Sequence, residues 1–239
     1  MKTIKLYLTK ILVIIFIFII PSGCEEYLDE EFKSGLSPSS FYNSDSEAVI
    51  AVNGAYTLLT SAGWFRHRDR KAWWQITADE ISSTRNIFKE AHNITWAEGV
   101  MDGERYWASL YETVRNTSDA IKNINGNENL SQNTIDQSLG QLYVIRALAY
   151  YDLTVVWGDV PFFTEILSPA ELSSLERTPV KTIRDAMVKD LQTAYGLLPD
   201  SWSGADLGRM SKWAARALEA KFHMFEKNWQ GMLTASKDI

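Results

Sequence analysis

The chain has 239 residues with 30 acidic against 24 basic side chains, a formal charge of −6, and this balance excludes the basic footprint that a nucleic-acid partner needs. Its single cysteine excludes a disulfide framework, so stability has to come from a hydrophobic core. The length suits one or two domains, and nine tryptophans within 12% aromatic residues are more than a helical protein ordinarily carries.

Lys2, Lys5 and Lys10 make the N-terminus positive, and Ile11 to Ile20 follow as an unbroken apolar run before Pro21-Ser22-Gly23-Cys24. A membrane span needs roughly 20 apolar residues, about twice this run, so the order predicts a signal peptide over residues 1–23. Small residues directly before a cysteine resemble the lipobox of bacterial lipoproteins, which predicts Cys24 as the lipid-bearing first residue of the mature chain; the competing reading is an ordinary small residue in a leader. Cleavage would remove three lysines and no acid, leaving 21 bases against 30 acids, a charge near −9. Several acyl chains would then hold the protein on a membrane rather than in it.

Residues 24–43 are acidic and turn-forming, which predicts a tether. Ser44 and Glu47 have the spacing of a capping box, and Val49, Val52, Tyr56 and Leu59 follow at helical period, so a first helix is expected to about Ser61. From Gly63 to Gly99 there is no long period. This stretch holds Trp64, Trp73, Trp74 and Trp96, with a basic cluster from Arg66 to Lys71 that reads as a solvated loop or as a contact for an acidic ligand.

Trp107, Leu110, Tyr111, Val114, Ile121 and Ile124 give a second helix, ended at Asn125-Gly126-Asn127. Leu139, Leu142, Ala149, Leu153 and Val156 give a third, stopped at Gly158-Asp159 and Pro161. Thr178-Pro179 opens a fourth that carries Ile183, Met187, Leu191 and Ala194 to Pro199; a fifth runs from near Ser211 to Phe225, and a sixth opens at Trp229. The best strand candidate, Val160 to Ile166, is short and contains a proline, so an all-α fold is predicted.

Arg146-Ala147-Leu148 recurs as Arg216-Ala217-Leu218, an offset of 70 that is about two tetratricopeptide periods and equally a chance echo. With small residues such as Ala214, Ala217 and Ala220 for close helix approach, it suggests a tetratricopeptide-like α-α superhelix with irregular loop insertions over residues 44–239. The chain stops at Lys237-Asp238-Ile239 inside a helical pattern, so a truncated repeat region is expected.

Three segments together resemble the SusD/RagB family of nutrient-binding outer-membrane lipoproteins: CEEYLDEEF with SFYNSDSEAVIAVNGAYTLL, then RALAYYDLTVVWGDVPFFTE, then GRMSKWAARALEAKFHMFEKNW. The resemblance implies a tetratricopeptide-like superhelix of about twice this length, lipid-anchored in the outer membrane and facing the cell exterior. It implies a SusC-like TonB-dependent transporter as partner and an oligosaccharide as ligand. Glu25, Glu26, Asp29, Glu30 and Glu31 look like the acidic export signal of such lipoproteins. A peptide-binding RagB-type role and a surface glycoside hydrolase are the alternatives.

A sugar in water is held by stacking its C–H face on an aromatic ring while charged and amide groups pair with its hydroxyls. By resemblance Trp96 is the stacking tryptophan, with Asp79 and Arg85 as polar partners and Trp74 as a further candidate. The alternative is that Trp96 packs a core or loop, that Asp79 and Arg85 are a solvated pair, and that Trp73 and Trp74 are core. Tyr150, Tyr151 and Trp157 read as framework. His67, His92 and His223 lack ligand spacing, so no metal and no cofactor are expected. No phosphate loop or nucleophile elbow occurs, and thirty acids select no catalytic pair, so the chain reads as a binding protein and not an enzyme.

Overall fold

A computed structural model describes residues 41–60, 74, 75, 78, 93 and 103–239. The chain divides into two units, Met1–Phe41 and Tyr42–Ile239, and the described helices and strands all belong to the second. The expected leader, the tether up to residue 40, Cys24 and the basic cluster lie outside the described residues.

The described part is helical, as the periodicity predicts. In chain order it contains α1 (Asp45–Leu59), α2 (Glu104–Ile124), α3 (Gln132–Trp157), β1 (Val160–Pro161), α4 (Pro169–Ser173), β2 (Arg177–Thr178), α5 (Val180–Leu197), α6 (Lys212–Phe225) and α7 (Trp229–Lys237). Among the described residues no helix is long and apolar enough to cross a membrane.

Helix α3 is the axis of the packing. Leu139, Leu142, Ile145, Ala149, Tyr150 and Leu153 bury on different sides of it because α1, α2, α5 and α6 all lie against it. A helix covered all round needs no polar stripe. Gly140 marks a close approach: a Cβ there would meet Leu198 Cγ at 2.6 Å. Helices α5 and α6, joined by residues 198–211, and α6 and α7, joined by residues 226–228, then pack on one another in sequence order, as in a tetratricopeptide-like fold.

Two local expectations are corrected. The buried face of α1 is Ala48, Val52, Ala55 and Leu59, while Val49 is 38% exposed; alanine, and not a larger apolar side chain, supplies half of that face. Ser44 does not close a capping box. Its hydroxyl lies 3.0 Å from that of Ser46, and Glu47 Oε2 accepts instead from the Asn43 amide at 2.7 Å. The complete box is at α4, where Ser168 Oγ accepts from the Glu171 amide and Glu171 accepts from the Ser168 amide, with Pro169 as the first helical residue.

The strand candidate is ordered as a strand only at its start. Val160 and Pro161 pair antiparallel with Thr178 and Arg177, and proline is tolerated there because this is an edge of a two-stranded ribbon. Gly158 makes the turn out of α3 with φ 69, a left-handed conformation that a side chain would strain. Asp159 then accepts from the Val180 amide at 2.8 Å and so caps α5, which Pro179 at the N-cap position cannot do with its own side chain.

Candidate functional site

The tyrosine-rich end of α3 and the segment after it build the described cavity best suited to a ligand. Tyr150, fully buried, donates its hydroxyl to the Phe163 carbonyl at 2.7 Å and accepts from the Phe163 amide at 3.0 Å. Tyr111 of α2 donates to the Pro161 carbonyl at 2.7 Å, and Arg146 Nη1 donates to the Thr164 carbonyl at 3.2 Å. Burial pushes both phenols well above the ordinary tyrosine range, so each remains a neutral hydroxyl. Three side chains from two helices thus hold the backbone of residues 161–164 in place.

That anchoring sets the Phe163 ring over Tyr111, with centroids 5.9 Å apart and an interplanar angle of 19°. Trp107, one turn before Tyr111, lies 4.9 Å from it and meets Trp157 edge-on at 5.1 Å. Trp107, Tyr111 and Phe163 line a cavity of about 530 Å³, walled by Pro161, Leu172 and Leu175. Glu112, Arg115 and Asn116 stand at its edge on the exposed side of α2. The volume lies in the range of small-molecule sites.

A cavity of about 420 Å³, bordered by later residues of α2 and by residues 164–166, is lined by Arg146, Lys122, Glu165 and Thr164 among others, with no aromatic ring. Its arginine is already consumed: Arg146 forms a 2.7 Å ion pair with Asp190 and donates to Ser118 Oγ at 3.3 Å. Among the described residues no group of acids, histidines or cysteine could hold a metal ion.

Of the residues singled out in the sequence, Trp96, Asp79 and Arg85 lie outside the described residues. Trp74 is half-buried and stacks on Tyr151 at 5.8 Å and 21°; Tyr151 in turn meets Phe222 and Phe225 edge-on. It is not among the side chains lining the aromatic cavity. Tyr150 and Tyr151 are framework, as expected, and buried to 0% and 5% exposure. Glu112, Arg115, Asn116 and Phe163 were not anticipated. The available signal was a polar set beginning one position after Tyr111, on the flank of a Trp107-Tyr111 stripe that reads as core.

The model of a SusD-like family described as starch-binding proteins associating with the outer membrane matches residues 26–224. The chain belongs to the SusD-like family. A SusD-like protein of Formosa agariphila is 33% identical over 238 residues, 95% of this chain and 45% of that protein, and one of Bacteroides ovatus is 20% identical over 229 residues, 92% of this chain and 40% of that protein. The chain therefore spans under half the length of these SusD-like relatives. Among solved structures, a laminarin-binding SusD-like protein superposes with a TM-score of 0.69 at 22% identity, covering 80% of this chain and 42% of that one. A SusD-like carbohydrate-binding protein from Bacteroides fragilis gives 0.69 at 22%, covering 84% and 41%. These superpositions bear out the tetratricopeptide-like helical fold.

Proposed function

We propose that this SusD-like chain is part of a cell-surface lipoprotein that captures oligosaccharides and delivers them to a SusC-like TonB-dependent transporter. The observation that carries the proposal is the family match over residues 26–224. The laminarin-binding structural neighbour supports a glucan-type cargo. The aromatic cavity with polar groups at its edge has the chemistry of sugar capture. A leader ending in Ser22-Gly23-Cys24 supports lipid anchoring at Cys24, and the acids after it support an outward-facing position. Trp96 remains the proposed stacking residue of the family site, with Asp79, Arg85 and Trp74 as its proposed company. Capture without turnover fits a chain that shows no nucleophile elbow or phosphate loop in sequence.

Isothermal titration of the chain without its leader, against neutral oligosaccharides and short peptides, tests the proposal. Saturable binding of an oligosaccharide that is recovered uncleaved is expected. Binding confined to peptides, or release of shorter sugars during incubation, overturns it.

A further inference from the structure

The aromatic cavity between α2 and residues 161–175 is built from residues that the family resemblance does not assign, and its composition is specific enough to name a ligand class. Trp107, Tyr111 and Phe163 are all half-buried and present ring surface to one space of about 530 Å³. Half-burial matters here. A tryptophan and a tyrosine on the same helix stripe as the fully buried Leu110 and Val114 would be expected to close over as core, and instead they border an opening.

The polar edge decides what kind of molecule fits. Glu112 and Arg115 are one helical turn apart, a spacing at which opposite charges commonly pair on a helix surface. Among the described residues they form no ion pair, and neither they nor Asn116 makes a side-chain hydrogen bond. The edge therefore offers an acceptor carboxylate, a guanidinium with its donors available, and a carboxamide able to do both, all beside apolar ring faces. A sugar bearing only hydroxyls satisfies every one of these, since each hydroxyl both donates and accepts. A sulfated or uronic sugar would meet Arg115 favourably and Glu112 unfavourably at the same edge. The second cavity also holds polar side chains unpaired among the described residues, Lys122, Asn125 and Glu165, but its arginine is engaged by Asp190 and it has no ring on which a sugar could stack.

We infer that the Trp107-Tyr111-Phe163 cavity is a subsite for an uncharged oligosaccharide, stacked on its rings and held at the edge by Glu112, Arg115 and Asn116. This rests on the reading of the chain as a sugar-capturing protein. Residues 161–164 are fixed by Tyr111, Tyr150 and Arg146 before any ligand arrives, so little ordering cost opposes binding.

The test compares the full chain with Glu112→Ala, Arg115→Ala and Trp96→Ala variants by isothermal titration. The probes are a neutral series of laminari-oligosaccharides and the same series sulfated, with circular dichroism to confirm folding. Because Glu112 and Arg115 are exposed, their variants test the site without opening the core. The expected result is that each weakens binding of the neutral series by about tenfold or more, as losing a charge-assisted hydrogen bond does, with helicity unchanged. Undiminished affinity in both, with loss only in Trp96→Ala, overturns the subsite and leaves the capture function standing. Tighter binding of the sulfated series, lost in Arg115→Ala, overturns the uncharged class. If the unaltered chain binds no sugar, the capture function fails and the subsite with it.

Discussion

Arg146 and Arg115 sit on neighbouring helices and end in the same guanidinium, yet their surroundings are opposite. Arg146, 5% exposed in its side chain, spends its donors on Asp190, Ser118 and the Thr164 carbonyl. Arg115 is exposed at the edge of an aromatic cavity and spends none on any described residue. A cation inside the fold has to find its acceptors there, because an unmet charge away from water is too costly to keep. A cation left idle beside ring faces has acceptors to gain from outside. The same contrast separates Tyr150, whose hydroxyl is engaged on both sides by Phe163, from Trp107, whose ring is left partly bare.

The comparison is broken most forcefully at Arg146. Burial pushes the Asp190 carboxyl up even with the guanidinium beside it, so removing the guanidinium leaves that carboxyl to bear its desolvation alone. Arg146→Met is expected to cost about 3–5 kcal/mol in urea denaturation, and adding Asp190→Leu should return most of it. A loss under ~1 kcal/mol for the single variant would mean that the pair is solvated enough to do without its partner.

A smaller effect is expected at the packed side of the same helix. Gly140→Ala places a methyl 2.6 Å from Leu198 Cγ and 2.8 Å from its Cδ2, and Leu198 is itself only 6% exposed. About 1–3 kcal/mol should be lost, read as a lower melting temperature. Arg115→Ala, on the idle side, should change stability by less than about 0.5 kcal/mol. If it destabilised as much as Arg146→Met, the idle arginine would be structural after all.

How much was readable beforehand follows the range of each interaction. Helices α2, α3, α5 and α6 were legible because Leu110 to Ile124, Leu139 to Val156, Ile183 to Ala194 and Ala214 to Phe225 repeat at helical period within one segment. The α1 face is only partly legible: the periodicity picks out Val52 and Leu59, but Ala48 and Ala55 share the contact and alanine sends a weak hydropathy signal. The β1–β2 pairing joins residues 16 and 18 apart in sequence through two residues a side, too little to register as alternation. Helix α4 was invisible for the same reason, being five residues long, although Ser168-Pro169-Ala170-Glu171 spelled its box.

The aromatic cavity was half legible. Trp107 and Tyr111 stood out by type and spacing, but periodicity tells which side chains share a face and not whether a neighbour covers that face. Phe163 enters only through the Tyr150 and Tyr111 hydrogen bonds, which no local pattern encodes.

Asp159 ties two helices together. It follows the last turn of α3 yet closes the first turn of α5, and its carbonyl also accepts from Arg177 Nη1 at 2.7 Å. The end of one helix and the start of another therefore share a latch at Asp159. Two segments separated by a ribbon and a short helix are thereby tied at one residue, and Phe163 lies within the loop that this tie closes.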